Sequence, residues 1–363
     1  MKRIGNLYEQ IYDFENLHQA YLEARKGKRY RDDVLQFTAN LEENLIQIQN
    51  ELIYGTYKVG RYREFYVYEP KKRLIMALPF KDRVVQWAIY RVLNPLYEPT
   101  FIEHSYACRV GKGTHKAAAK LQEWLRIVSK KREKWYYLKL DISKYFYRVD
   151  QKLLINIVAK KVKDRNLLQL LWKIIRSEDT QFGLQITANM DNNDQRLENC
   201  GMPIGNLTSQ LFANVYLNEL DQFVKQKLGI RYYIRYMDDV IILHNNKKHL
   251  HKTLEDISDF LRDNLRLQLN NKTAIRPITL GIEFVGYRMW NTHKKLKKQT
   301  AFKMKKRLKW LMKEYAKDRV SLDTIKASLF SYLGILQHCN TYRLKRKVLQ
   351  NFKLVRGRNP PRV

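Results

Sequence analysis

The chain has 363 residues, 69 of them Lys or Arg against 36 Asp or Glu, for a formal net charge of +33. With 45% hydrophobic residues it is expected to fold around a sizeable core. The positive excess calls for a polyanionic partner, nucleic acid before a membrane surface, because no apolar run approaches the roughly 20 residues of a span. The spacing of Cys108, Cys200 and Cys339 fits neither zinc nor a disulfide framework, and no signal-peptide core follows Met1-Lys2-Arg3-Ile4-Gly5, so a reducing cytoplasm is expected.

In chain order, residues 7–52 read as helical, with Leu35, Ala39, Leu41, Leu45, Ile48 and Leu52 near helical spacing. Within them Ala24 to Arg31 is a dense basic patch carrying Tyr30. It reads either as a clamp on a phosphate backbone or as a solvated helix end. Gly55 and Gly60 break the helix. Tyr62 to Tyr68 alternates like a strand, Glu69-Pro70-Lys71-Lys72 is a turn, and Arg73 to Leu78 is the return strand of a hairpin. Residues 82–93 return to helical periodicity. Leu138-Lys139-Leu140-Asp141-Ile142 is a short strand ending on an acid, followed by a helical region to about residue 176. Residues 177–198, with Asp191-Asn192-Asn193-Asp194, read as an exposed hairpin or loop. Leu207 to Lys227 is helical, residues 248–266 form an amphipathic helix, and Ile282 to Tyr287 is a strand. From residue 294 the chain is basic and helical, marked by Leu308, Leu311, Ile325, Leu329, Leu333 and Leu336. A disordered tail, 356–363, closes it. The pattern is an α+β core with an added helical domain.

Tyr236-Met237-Asp238-Asp239 is the most informative stretch. It lies between the apolar, β-branched runs Arg231 to Arg235 and Val240 to Leu243, which places two adjacent acids at the tip of a strand–turn–strand unit. Adjacent like charges repel unless a cation is bound, and in so basic a chain the fitting guest is Mg²⁺ that itself holds a phosphate. Asp141, at its own strand end, is the second key acid. Together these acids could assemble a two-metal site, with ions roughly 3.5–4 Å apart clamping the attacking and leaving oxygens of a nucleotidyl transfer. Taken alone, an Asp-Asp pair is as often a solvated turn.

At these residues the sequence is similar to reverse transcriptases. Tyr236-Met237-Asp238-Asp239 matches their signature palm motif, and Leu140-Asp141-Ile142 to Phe146 matches the first acidic motif of the palm; the likeness runs over residues 60–290 in the family's motif order. The resemblance implies a right-hand polymerase fold, with fingers, a palm of antiparallel sheet packed on helices, and a C-terminal helical thumb. It divides the chain into an N-terminal helical extension (1–60), fingers (61–135, with part of 151–200), palm (136–290) and thumb (291–355). It implies two Mg²⁺ ions, with Mn²⁺ as a substitute, held by Asp141, Asp238 and the carbonyl of Ile142, with Asp239 supporting. Phe146 would be the gate that rejects a ribose 2′-hydroxyl, and Lys272 the donor that protonates pyrophosphate. Arg73 and Arg109 would bind the triphosphate of an incoming dNTP. Ile204 and Gly205 would line the nucleotide pocket, while Ser209, Gln210, Tyr236 and Met237 would meet template or primer. Asp82-Arg83-Val84-Val85-Gln86 reads as structural or template-facing. Lys303, Lys305, Lys306, Arg307 and Lys309, beside Trp310, would grip the backbone of the RNA–cDNA duplex.

Ile204-Gly205-Asn206-Leu207-Thr208-Ser209-Gln210 narrows the resemblance. Most relatives open this motif with Gln-Gly and close it with Ser-Pro. The variant here resembles the enzymes of diversity-generating retroelements, as do Gly201-Met202-Pro203, Leu217 to Asp221, Ser105 to Arg109 and Gly113-Thr114-His115. That implies an RNA-directed DNA polymerase, bacterial or phage-encoded, which makes adenine-mutagenic cDNA from a template-repeat RNA. A basic, oligomeric accessory variability protein would be its partner, and no RNase H, endonuclease or maturase extension is apparent. A retron- or group II intron-like reverse transcriptase and a non-catalytic RNA-binding scaffold on the same fold are the alternatives.

Overall fold

The computed structural model describes residues 3–68, 73–176, 180–185 and 196–355. The expected turn at 69–72, the Asp191-Asn192-Asn193-Asp194 stretch and the tail 356–363 lie outside them. Two compact units are present: residues 1–110, 140–240 and 251–273 form the first, and residues 111–139, 241–250 and 274–363 the second.

The chain opens with four helices, α1 (Tyr8–Tyr12), α2 (Phe14–Ala24), α3 (Asp32–Ala39) and α4 (Leu41–Ile53). Asp13 caps α2 by accepting from Asn16 N at 3.0 Å. Leu45, Ile48 and Leu52 are fully buried as their spacing requires, whereas Leu35 faces solvent. Strands β1 (Arg63–Val67) and β2 (Arg73–Ala77) pair antiparallel, Arg63 opposite Ala77 and Val67 opposite Arg73. Helix α5 (Phe80–Tyr97) follows, with Val84, Val85, Ala88, Ile89 and Leu93 buried. Helix α6 (Thr114–Ser129) was not anticipated, although Ala117, Ala118, Leu121, Trp124, Leu125 and Val128 form its buried stripe.

After β3 (Tyr136–Asp141) the expected continuous helix is three pieces, α7 (Tyr145–Arg148), α8 (Gln151–Ala159) and α9 (Arg165–Arg176). The breaks lie at carboxylate caps. Asp150 accepts from Leu153 N at 2.8 Å, and Asp164 accepts from Leu167 N at 3.2 Å and also from Leu7 N and Tyr8 N at 3.0 and 2.9 Å. The expected hairpin at 177–198 is described only at its base, where β4 (Gly183–Leu184) pairs with β5 (Arg196–Leu197). Helix α10 (Leu207–Gln222) runs on into a π-turn at Phe223–Lys227. It is buried nearly all round, as a helix through the centre of a core must be.

Strands β6 (Tyr232–Tyr236) and β7 (Asp239–His244) are joined by a two-residue turn, and α11 (Lys247–Leu265) and β8 (Ala274–Pro277) follow. They complete a four-stranded sheet of order β6-β7-β3-β8, in which β3 and β8 pair antiparallel with Leu138 opposite Ile275. The single strand expected over 282–287 is a hairpin of β9 (Ile282–Phe284) and β10 (Tyr287–Met289). Val285 and Gly286 turn it at φ +43° and +86°, the left-handed pair that tight hairpins demand. Strand β11 (Lys294–Leu296) pairs with β10. Helices α12 (Lys298–Ala316), α13 (Leu322–Gln337) and α14 (Tyr342–Gln350) then share a core of Met304, Leu308, Leu311, Ile325, Leu336 and Val348. Among the described residues no helix is long and apolar enough to cross a membrane.

Within the second unit the His115 ring, in α6, stacks on His338 with centroids 3.7 Å apart, and the Tyr287 hydroxyl lies 3.4 Å from His115 Nδ1. Burial first, then the charges of His338 and Lys294, hold the His115 pKa below the usual histidine value. The folded state therefore favours neutral His115. Its contribution is full above the ordinary histidine pKa and is lost as pH falls through the lowered folded value. The melting temperature is expected to drop as pH falls below the ordinary histidine pKa of about 6.5, and His115→Phe is expected to flatten part of that drop in a thermal-melt series.

Candidate active site

Strand β3 buries Leu138 and Leu140 and leaves Lys139 and Asp141 half-buried on the alternate positions. Asn270 fixes Asp141 twice: its N donates to the Asp141 main-chain O at 2.8 Å, and its Nδ2 donates to Asp141 Oδ2 at 2.8 Å. Asn270 Oδ1 in turn accepts from Lys272 N at 2.6 Å, an Asx turn that sets the backbone from which exposed Lys272 projects. Ile142 and Leu269 form an antiparallel bridge whose flanking bonds are Ser143 N to Gln268 O and Asn270 N to Asp141 O. In such a pair the N–H and C=O of the central residue point away from its partner. The Ile142 carbonyl is therefore directed to the other edge of β3, along which β7 lies.

Asp239 opens β7, and Asp238 sits beside it in the turn after β6. Met237, the first turn residue, has φ +55°, a left-handed conformation that favours glycine. Beneath the turn lies a polar network that sequence reasoning missed. Arg235 and Asp221 have fully buried side chains and pair bidentately, Nε to Oδ1 at 2.7 Å and Nη2 to Oδ2 at 2.6 Å. The Tyr233 hydroxyl donates to Asp221 Oδ1 at 2.6 Å. Arg235 Nη1 donates to the Met237 carbonyl at 3.1 Å and to Asn214 Oδ1 at 3.3 Å, and Asn214 Nδ2 donates to Ala107 O at 2.8 Å. Burial alone would lower the Arg235 pKa, but the Asp221 charge and hydrogen bonds outweigh it and raise it, so the guanidinium is permanently charged.

The segment 204–207 is stitched to its surroundings in the same unit. Met76 N donates to Ile204 O at 3.0 Å, Asn206 Nδ2 to the Tyr62 hydroxyl at 2.7 Å, and Leu207 N to Gln86 Oε1 at 3.0 Å. Gly205 has φ +130°, and a Cβ there would sit 2.7 Å from Met76 O, so the backbone approach admits only glycine. Asp82 is buried, accepting from the Tyr57 hydroxyl and Gly60 N, which makes it structural.

Residues 68–289 match the family model described as reverse transcriptase (RNA-dependent DNA polymerase). The chain belongs to the reverse transcriptase family. Protein YkfC of Escherichia coli (strain K12) is 27% identical over 286 residues, 69% of this chain and 72% of that protein. The group II intron-encoded protein LtrA of Lactococcus lactis subsp. cremoris is 27% identical over 276 residues, 73% of this chain but 42% of LtrA, so this chain spans less than half of that relative. Apo telomerase from Candida tropicalis overlays at 14% identity and TM-score 0.47, covering 80% of this chain and 61% of that one, a likeness too loose to carry weight.

In this reverse transcriptase Phe146 is half-buried on α7. Its neighbour Tyr145 is locked into the core by its hydroxyl, which donates to Ala213 O at 2.7 Å, and the Phe146 carbonyl accepts from Met202 N at 2.7 Å. Arg73 is exposed at the start of β2, and Tyr236 and Met237 are half-buried. Two of the residues named from sequence are tied into the fold. Arg109 is committed elsewhere: Nε and Nη2 meet Glu98 Oε1 at 2.8 Å, Nη1 donates to Ile102 O and Ser105 O at 2.7 and 2.9 Å, and the side chain is 7% exposed. Its guanidinium braces the loop around Phe101, 5.4 Å from that ring's centroid. Ser209 is buried inside α10 and offers nucleic acid no surface, whereas Gln210 beside it is exposed. In the second unit Lys305, Lys306 and Arg307 are exposed, with the Arg307 guanidinium 4.4 Å from the centroid of the Trp310 ring.

Among the described residues no three His, Cys, Asp or Glu side chains gather closely enough to hold a metal ion by themselves. What is present is Asp141 at the end of β3 and Asp239 at the start of neighbouring β7, with the Ile142 carbonyl directed to the β7 edge of β3. Such hard oxygens fit Mg²⁺, which binds through one or two carboxylates together with substrate phosphates rather than in an all-protein cage.

Proposed function

We propose that this reverse transcriptase copies a template RNA into cDNA by two-metal nucleotidyl transfer. The observation that carries the reading is the placement of Asp141 and Asp239 on adjacent strands of one sheet, with Asp238 in the turn between β6 and β7. Asp141, Asp238 and the Ile142 carbonyl would hold the two Mg²⁺ ions, with Asp239 supporting. Held there, such ions would supply charge stabilisation for the attacking 3′-oxygen and the departing pyrophosphate. Exposed Arg73 reaches the dNTP triphosphate, Phe146 crowds a ribose 2′-hydroxyl, and Lys272 delivers a proton to pyrophosphate. Gln210 meets the template, and Lys305, Lys306 and Arg307 hold the duplex backbone in a helical thumb. Primer extension on an RNA template tests the reading. Wild type is expected to extend only with Mg²⁺ or Mn²⁺, and Asp238→Ala is expected to be inactive; equal extension by both defeats it.

The finer reading is an enzyme of a diversity-generating retroelement, working in the cytoplasm with a basic accessory variability protein. It is supported by Ile204 and by the Ser209-Gln210 close of that motif. Ile204 can neither donate nor accept a side-chain hydrogen bond, so the pocket discriminates less by geometry. Its carbonyl is pinned by Met76 N, so Ile204→Gln changes the side chain on a fixed backbone. That variant is expected to raise fidelity opposite template adenine; an unchanged misincorporation spectrum counts against the pocket argument. Similarity to LtrA favours a group II intron-like enzyme instead, which predicts accurate copying by wild type in the same assay.

A further inference from the structure

We infer that Arg235 is a positioning residue for the metal-holding acids, acting through the Met237 carbonyl. The inference rests on the reading of Asp238 and Asp239 given under Proposed function. Four observations carry it. The turn that presents the acids is held in a conformation disfavoured for a side chain as large as methionine, with Met237 at φ +55°. A conformation of that kind persists only when its surroundings over-determine it. A buried side-chain donor holds the main chain of this turn, Arg235 Nη1 to Met237 O at 3.1 Å. The guanidinium that makes it cannot swing away, because Asp221 takes Nε and Nη2, Asn214 shares Nη1, and none of the pair is exposed to water.

The backbone of Arg235 is fixed as well. Its N donates to His104 O at 3.0 Å and its O accepts from Tyr106 N at 3.0 Å, a parallel bridge centred on Ser105. Asn214 ties the same loop through Ala107 O. The acidic turn is thus referenced to α10, which supplies Asn214 and Asp221, and to the 104–107 loop. A donor that fixes a ligand-bearing turn governs how well the turn binds metal, as partners behind metal ligands do elsewhere. A purely structural ion pair would govern stability alone.

The two roles separate in a variant that removes the network without leaving a buried charge. Exchange of a buried ion pair for apolar residues of similar volume often preserves stability. The full chain is therefore compared with Tyr233→Phe/Asp221→Leu/Arg235→Met, which retains shape and deletes the donor to Met237. Three quantities are read: the thermal midpoint, the affinity for an RNA–DNA template–primer without divalent metal, and the Mg²⁺ concentration for half-maximal primer extension. The expected result is a preserved midpoint, unchanged template–primer affinity, and a half-maximal Mg²⁺ concentration raised roughly 10–100-fold, the range seen when partners behind metal ligands are lost. A folded triple variant with an unshifted Mg²⁺ requirement overturns the inference. Should the triple variant fail to fold, Arg235→Lys decides. A lysine keeps the charge opposite Asp221 but cannot serve both carboxylate oxygens and the Met237 carbonyl in Arg235's fork geometry. Its Mg²⁺ requirement is expected to rise, and no rise overturns the inference. Asp238→Ala, run alongside, keeps the parent reading separate: if it still extends primers, the acids are misassigned, whatever Arg235 does.

Discussion

Asp141→Asn is expected to leave the fold intact and to lower the rate of single-turnover primer extension by about a thousandfold or more, from the loss of several kcal/mol of charge stabilisation at 1.36 kcal/mol per tenfold. The substitution is nearly isosteric. An asparagine oxygen can still accept from Asn270 Nδ2, and the main-chain bond between Asn270 N and residue 141 is untouched. Only the negative charge disappears. The thermal midpoint and the template–primer affinity serve as controls. A folded Asp141→Asn protein extending within tenfold of wild type would remove Asp141 from the chemistry.

The largest stability effect is expected from truncating one side of the buried pair. Arg235→Ala leaves Asp221 uncompensated at zero exposure and is expected to cost about 3–5 kcal/mol. It also deprives the Met237 carbonyl and Asn214 Oδ1 of their donor. Urea denaturation measures the loss directly, as a lower midpoint at unchanged slope. Truncation of Arg307, which is exposed, is expected to leave the midpoint in place. Equal midpoints for Arg235→Ala and wild type would mean that the pair does not form in solution.

The parts of the site that sequence reveals are those whose chemistry is local. Two adjacent acids between apolar runs can be seen without a fold, and so can Asp141 at the end of Tyr136-Tyr137-Leu138-Lys139-Leu140. The glycine at 205 is legible as a motif, although its reason, a Met76 carbonyl 2.7 Å from where a Cβ would sit, is not. Partnerships across elements leave no periodic trace. Arg235 looks like one more basic strand residue and Asp221 like one more helical acid, fourteen positions earlier, until the fold buries them together. Arg109 shows the converse: an arginine in a glycine-bordered loop reads as a ligand for phosphate, and only the packed chain brings Glu98 and two carbonyls to it. Asn270 reads as a spacer before Lys272, because nothing in its neighbourhood announces a carboxylate 129 positions away. Among the elements, α6 carries a readable apolar stripe, while β8 and β11, at four and three residues, are too short for period to decide.

The hydrogen bond from Asn270 to Asp141 spans 129 positions of chain, and that separation sets an order of events during biosynthesis. A polypeptide still emerging from the ribosome has Asp141 long before it has the residue that steadies it, and the acidic turn at 236–239 is made before Asn270 as well. Segments so distant meet only after the intervening chain is available, and the entropy of closing that loop falls due before the contact repays it. Nascent chains stalled ahead of residue 270 would therefore carry every acid of the proposed site without its brace.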